Sequence, residues 1–495
     1  MTLRLFNTLT GQLDELSPAD GGELRMYACG PTVYDYGHIG NFRTFLQVDV
    51  LRRFLKLTGV PVRHVMNITD VDDKIIRNAA ERGISIGEYT PKFVDAFFED
   101  LDSLRAERPE FIARATEHIE KMVQLIQRLE AAGAAYKTED GSWYFRLKSF
   151  PEYGKLSKKD LTGIEDGARV DVDEYEKDSA RDFALWKAVK PGETSWDTAI
   201  GRGRPGWHIE CSAMSMEFLG ESFDLHAGGE DLMFPHHENE IAQSEMATKK
   251  PFARHWMHVR FLLVDGKKMA KSDGNYYTLR DLLLKGYKAS AVRMALISVP
   301  YRHQLNFTFD GLIEATNAID RLRTFHERLT KAALPAGESE AMQQAASKAR
   351  AGYFASLAND LNTADARAPI FDLVRAANTA LDKTAQGQGE FLAGDREAVL
   401  AALKDFDAVF DVLEDRDAGP TERAVAWAQA DGREVAAELL ARQGLSDAEI
   451  DGLVAERTQA KKQRNFARAD QIRNELAEKG ILIEDSKDGV RWKRK

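Results

Sequence analysis

The first third of the chain alternates strand with helix, and this narrows the possible folds more than any other feature. RMYACG, ending at Gly30, is a short apolar strand closed by Gly-Pro, and GHIGNFRTFLQVDVLRRFLKLTG carries apolar residues at helical spacing until Gly59. VPVRHVMNITD is rich in β-branched residues and reads as a second strand, after which DDKIIRNAAERG returns to helix. Parallel strands can be joined only by a crossover, most often a helix, so this order predicts an α/β domain built on a parallel sheet.

The pattern is interrupted from about Glu120 to Arg204. KMVQLIQRLEAAG is a helix stopping at Gly133, and AAYKTEDGSWYFRL reads as a hairpin turning at Asp140-Gly141. DSARDFALWKAVKPGETSWDTAIGRGRPGW is polar and Gly-rich, more loop than core. The α/β pattern resumes at Trp207. Beyond Asn306, stretches such as GLIEATNAIDRLRTFHERLTKAA and PIFDLVRAANTALDKTA predict helical hairpins or a bundle, ending near Gly419-Pro420. The expected limits are residues 1–119 and 205–260 for the two halves of the sheet domain, 120–204 for the insertion and 261–308 for a loop region. Residues 309–419 then form the helical bundle and 420–495 a final module.

With 43% hydrophobic and 30% charged residues among 495, the composition is that of a soluble multidomain protein. No apolar run reaches membrane-spanning length and the first residues lack a secretory pattern, so the expected location is cytoplasmic. A net charge of −11 argues against indiscriminate nucleic-acid binding. The average conceals a basic end: residues 457–495 hold 12 Lys and Arg against 6 Asp and Glu. Cys29 and Cys211 are the two cysteines of the chain, too few and too far apart for a disulfide framework. With His236 and Glu240 of PHHENE they offer two sulfurs, an imidazole and a carboxylate, a donor set suited to zinc. Pro235 can begin a helix on which His236 and Glu240 share a face, with His237 and Glu238 directed elsewhere.

Two further motifs suit a polyphosphate. In GHIGNFRTF a helix start aims backbone N–H groups at an anion, Gly40 permits close approach, and His38 and Asn41 add short donors. In DGKKMAKSDGN, Gly266 and Gly274 bracket Lys267, Lys268, Lys271 and Ser272, a cationic loop able to fold over a triphosphate.

Together these motifs resemble the HIGH and KMSKS signatures of class I aminoacyl-tRNA synthetases, with Asn41 and Ala270 as departures. Within that class, CGPTVYDYGHIGNFRTF, NITDVDDKI, GWHIECSAM, HAGGEDLMFPHHENEIAQSE and KMAKSDGN resemble the cysteinyl-tRNA synthetase family over most of the chain. The resemblance implies a Rossmann-type catalytic domain with an insertion, a helical bundle and a small tRNA-contacting module. It implies one Zn²⁺ on Cys29, Cys211, His236 and Glu240, with Mg²⁺ accompanying ATP. His38, Asn41, Lys268 and Lys271 would be catalytic, with Gly37, Gly40, Gly228 and Gly229 completing the ATP site. Gly30, Thr69, Trp207, Asp231 and His226 would bind the amino acid, Asp231 meeting its ammonium and Trp207 forming an aromatic wall. The partners implied are ATP, L-cysteine and tRNA(Cys), for a monomer that binds no membrane. Trp492, among Arg491, Lys493 and Arg494, is a candidate to stack on a base.

Overall fold

The computed structural model describes residues 2–159, 182–190, 192–442, 447–486 and 489–494. Its centre is a five-stranded sheet in which every pairing is parallel. In chain order the strands are Leu24–Ala28, Val62–Ile68, Phe111–Arg114, Phe223–Gly229 and Ala253–Val259. Their spatial order is 3-2-1-4-5, the doubly wound arrangement, so the direction of winding reverses between Leu24–Ala28 and Phe223–Gly229. Ligands of such sheets lie in the crevice outside the strand ends at that reversal. Phe223–Gly229 is buried at all seven positions, as expected for a strand covered by helices on both faces.

Helix Ile39–Leu57 connects the first two strands, and Trp207–Leu219 packs on both of those strands. Arg43, fully buried in the first of these helices, donates to the carbonyls of Arg260, Leu296, Pro300 and His303 at 2.7–3.4 Å. The helix that starts at the HIGN turn is thereby tied to chain on both sides of the lysine-bearing loop, Arg260 before it and Leu296, Pro300 and His303 after it. A lysine has one ammonium and lacks the guanidinium's fork of donors needed for this.

The expected hairpin is the edge of a second, antiparallel sheet, whose other three strands come from the stretch expected to be more loop than core. The order of this sheet is Ala135–Lys137, Trp143–Phe145, Phe183–Ala188, Gly201–Pro205, Trp196–Thr198. Within FALWKA the residues Phe183, Ala184, Leu185 and Trp186 are all buried, so a strand covered on both faces shows none of the alternation that marks a half-exposed one. The hairpin turn at Asp140-Gly141 is present, with Asp140 accepting from Ser142 N and Oγ and from Thr138 Oγ1. Part of the interrupting segment, residues 160–181, lies outside the described residues.

Helices Phe309–Lys331, Glu340–Ala358, Thr363–Ala385 and Ala393–Phe410 form the bundle. The chain divides into two compact units. One comprises residues 1–276 and 290–414, the other 277–289 and 415–495. In the second, helix Leu279–Leu284 packs on Ala418–Ala430, and helices Asp447–Lys462 and Phe466–Glu478 pack on the hairpin Ile481–Ser486/Gly489–Arg494. Ile450, Val454, Ile472, Leu476 and Ile481 make its core, with Trp492 packed against them. The Trp492 indole also donates to Asp451 at 2.7 Å, so this aromatic is engaged in holding the module together. Among the described residues no helix is long and apolar enough to cross a membrane.

Candidate active and metal site

At the reversal point, Cys29 follows directly on the first strand and is held by its N–H to the carbonyl of Ala227, 3.1 Å away. Helix Trp207–Leu219 brings Cys211 beneath it, with the two sulfurs 4.0 Å apart. His236 and Glu240 approach from the far side, Nε2 to Oε1 at 3.0 Å. Both thiols, the imidazole and the carboxylate are buried, and one donor atom from each lies within 4.8 Å of the others. Zinc–sulfur bonds of about 2.3 Å at a tetrahedral angle space two sulfurs about 3.8 Å apart, close to the separation observed.

The protons of this cluster also fit a cation. Burial works to raise the Glu240 carboxyl, but His226 and His236 outweigh it and hold it at about 2. Burial works to lower His236, yet Glu240 and Cys211 push it up to about 10. A hydrogen bond from Cys29 lowers Cys211 to about 6, while burial raises Cys29 itself. The pocket therefore gathers negative charge that protons on His236 and Cys29 offset, and a divalent metal can take their place.

A second set overlaps the first: Cys29, His226, His237 and Glu240 also come within coordinating distance of one another. His237, expected to point elsewhere, has Nε2 3.4 Å from the Cys29 sulfur. Met233–His237 is a wide turn with Phe234 in extended backbone, and the regular helix begins only at Glu238, so ideal helical spacing does not apply before it. Glu238 does point away, accepting from Gly154 N, Leu156 N and Ser157 N. The pairing of both sulfurs favours the first set. The histidines around it act as supports: His226 Nε2 bonds Glu240 Oε2 at 2.9 Å, His208 Nδ1 meets His236 Nδ1 at 2.9 Å, and His237 Nδ1 meets His258 Nε2 at 2.8 Å. Such outer partners fix ring orientation at metal sites. His208 lies within GWHIEC and His237 within PHHENE, yet the sequence gives neither a role in the site, and His258 lies outside every motif.

The amino-acid candidates surround this cluster. Trp207 is 38% exposed and its ring stacks on His236 with centroids 4.3 Å apart, which makes it a wall of the site. Thr69 is buried, donates to Glu210 Oε2 at 2.9 Å and accepts from Asn67 Nδ2 at 3.1 Å. Asn67 Oδ1 in turn accepts from Gly30 N at 2.7 Å, and a Cβ on Gly30 would strike the Asn67 carbonyl. His226 is wholly buried, stacked on Trp256, with Nε2 on Glu240 of the Cys/His/Glu cluster. Asp231 stands exposed in the turn Glu230–Leu232. A Cβ at Gly228 would meet the His237 ring at 2.7 Å and one at Gly229 would meet Asp231 at 2.4 Å, so both glycines make room for neighbouring side chains.

At the phosphate end, His38 caps helix Ile39–Leu57. Its Nδ1 accepts from Asn41 N at 3.1 Å while Asn41 Oδ1 accepts from His38 N at 3.1 Å, a reciprocal capping box. Burial lowers His38 to about 4, so the ring is neutral near pH 7; with Nδ1 accepting, its proton sits on Nε2 as a donor. A Cβ on Gly40 would collide with the His38 ring at 2.9 Å, and one on Gly37 would press on Phe42. Lys268 is exposed on a short hairpin strand, and Lys271 on the following turn reaches Asp35, Nζ to Oδ2 2.5 Å.

Residues 15–317 match the tRNA synthetases class I (C) catalytic domain, 353–413 the DALR domain and 442–492 the cysteinyl-tRNA ligase anticodon binding domain. The chain is 58% identical to cysteine–tRNA ligase of Koribacter versatilis and 54% identical to that of Solibacter usitatus, in each case over 100% of both chains. It is 45% identical to the Chlamydia pneumoniae protein of the same name, over 99% of this chain and 98% of that one. Methionyl-tRNA synthetase of Mycobacterium tuberculosis, solved with methionyl-adenylate, superposes with a TM-score of 0.58 at 16% identity, covering 86% of this chain and 95% of that one, a likeness of fold. With a doubly wound sheet, a sulfur-bearing cluster at its reversal point and relatives matched from end to end, the chain belongs to the cysteine–tRNA ligase family of class I aminoacyl-tRNA synthetases.

Proposed function

We propose that the chain activates L-cysteine with ATP and transfers it to tRNA(Cys), with Zn²⁺ on Cys29, Cys211, His236 and Glu240 and Mg²⁺ accompanying ATP. One observation carries this reading: the four donors converge where strand Leu24–Ala28 ends, and the connection from that strand leads to the helix capped by His38, so a thiol ligand and a triphosphate can share the crevice at the sheet's reversal point. In the first step a carboxylate oxygen of cysteine attacks the α-phosphorus, and the bond to pyrophosphate breaks. In the second, a terminal ribose hydroxyl of tRNA attacks the acyl carbon and AMP leaves. Neither step needs a protein nucleophile; positioning and charge stabilisation suffice.

His38 Nε2–H and the Asn41 amide supply neutral donors at the helix start, and Lys268 and Lys271 supply cationic ones. Asp231 pairs with the substrate ammonium, Thr69 and Gly30 line the amino-acid pocket, Trp207 closes it, and His226 orients Glu240. Gly37, Gly40, Gly228 and Gly229 serve the ATP site by letting Phe42, His38, His237 and Asp231 pack against their backbone. Zinc in the cluster would give the substrate sulfur a metal to bind, a preference that an alcohol oxygen does not match. Shape alone separates such near-isosteres by only about 1–3 kcal/mol.

The match of residues 442–492 to an anticodon binding domain supports tRNA as the acceptor. So does Phe466, 61% exposed and flanked in sequence by Arg464 and Arg468, which suits base stacking better than the engaged Trp492. We take the protein to be a cytoplasmic monomer. Cysteine-dependent ATP–pyrophosphate exchange with serine as competitor, alongside metal analysis, tests the reading. Exchange is expected with cysteine only, with one zinc per chain, and to be depressed in Lys271→Ala. Exchange driven equally by serine would overturn it.

A further inference from the structure

The loop bearing Lys267, Lys268 and Lys271 lies over the His38 turn. Tyr276 sets its ring edge against His38, centroids 5.2 Å apart, and the Lys271 ammonium stands 5.1 Å from the Tyr276 ring centre. The ammonium is bonded to Asp35, with Asp35 35% and Lys271 64% exposed. The two partners are held differently. Asp35 belongs to the Pro31–Tyr36 stretch, which is pinned by Val33 N to Thr69 O, Thr69 N to Pro31 O and the Tyr89 hydroxyl to Tyr34 O. Its Oδ1 accepts from Tyr36 N at 2.8 Å. Lys271 rides on a single helical turn that ends at Gly274 with φ +67, its base closed by Asn275 bonding Ala270 N and Lys268 O. A fixed anion thus faces a cation carried on a loop.

Resting on the reading that ATP binds here, we propose that Asp35 is a positioning residue for the adenylation step, holding Lys271 over the helix start in competition with polyphosphate. Phosphate oxygens and the Asp35 carboxylate call on the same ammonium, and whichever is not neutralised by it repels the other. When pyrophosphate is the competing anion, return of Lys271 to Asp35 favours its departure. The pair is exposed and therefore weak, about 1 kcal/mol at most, so it biases the loop without locking it. That magnitude corresponds to about a 2- to 5-fold effect on polyphosphate affinity.

Asp35→Asn tests this in the full-length protein. The KM for ATP and the inhibition constant for pyrophosphate are both expected to fall about 2- to 5-fold, with the KM for cysteine unmoved. Asp35→Glu, which keeps the charge, is expected to restore wild-type pyrophosphate inhibition. Trypsin should cut the loop at Lys267, Lys268 and Lys271 faster in Asp35→Asn than in wild type when no nucleotide is added. A rise in the KM for ATP, or unchanged pyrophosphate inhibition and cleavage, would overturn the proposal. Absence of cysteine-dependent exchange in the wild-type protein would instead remove the ATP reading on which it rests.

Discussion

His64 sits inside the central sheet, 3% exposed, with neither ring nitrogen hydrogen-bonded. Burial, then Arg52 and Lys56 on the covering helix, lower it to about 3. The unfolded chain would bind a proton near pH 6.5 that the folded chain refuses until about pH 3, so stability present above pH 6.5 is lost as pH falls through that window. The slope for one such group is at most about 1.4 kcal/mol per pH unit. Urea unfolding at pH 5.5 and 4.5 should therefore show His64→Leu losing about 1 kcal/mol less than wild type over that step. Equal losses would mean that the buried ring takes up its proton without cost. Residue identity was the most legible level of the sequence: the two cysteines are scarce and, with His236 and Glu240, form a chemically matched donor set that the structure brings together. His237 was not legible, because an expectation built on 100° per residue fails across a wide turn whose second residue, Phe234, is extended.

At the scale of elements, the start of helix Ile39–Leu57 has two demands placed on one side chain. The capping box uses only the acceptor of Asn41, its Oδ1, whereas a phosphate would use only the Nδ2 donor. Substitutions can separate the two. Asn41→Ala removes the bond to His38 N and leaves His38 Nδ1 on the Asn41 backbone N–H, so it should lose about 0.5–1 kcal/mol of stability and also raise the KM for ATP. Asn41→Asp keeps an acceptor and suits the positive end of the helix, so its unfolding midpoint should stay near wild type while its KM for ATP rises through charge repulsion. If Asn41→Asp binds ATP as well as wild type, the Asn41 amide does not contact phosphate. The helix and its strands were readable because apolar periodicity and Gly59 bound them clearly. The strand Phe183–Ala188 was not, since four consecutive buried residues carry no period and their Gly- and Pro-rich surroundings look like loop.

Over the whole molecule, the two compact units are discontinuous in sequence, which no local pattern announces. Helix Leu279–Leu284 begins five residues after Gly274 but packs on Ala418–Ala430, with Leu279, Leu282 and Leu283 all buried and Arg280 set against the Trp427 ring at 5.2 Å. A chain ended at Gly419 would cut that second helix in its first turn and uncover the three leucines. Their exposure costs on the order of 5 kcal/mol by the usual burial of apolar side chains, enough to disturb the segment that follows the lysine loop. A chain ended at Gly432 keeps Pro420, Ala424, Val425 and Ala428 in place and removes only the helices and hairpin beyond. The shorter chain should therefore melt earlier and exchange pyrophosphate more slowly, while the one ending at Gly432 exchanges as the full chain does. Both should fail to charge tRNA, having lost residues 442–492. Full exchange by the chain ending at Gly419 would show that disturbing residues 277–289 does not reach the lysine loop that precedes them in the chain. Normal charging by the chain ending at Gly432 would place tRNA recognition elsewhere in the molecule.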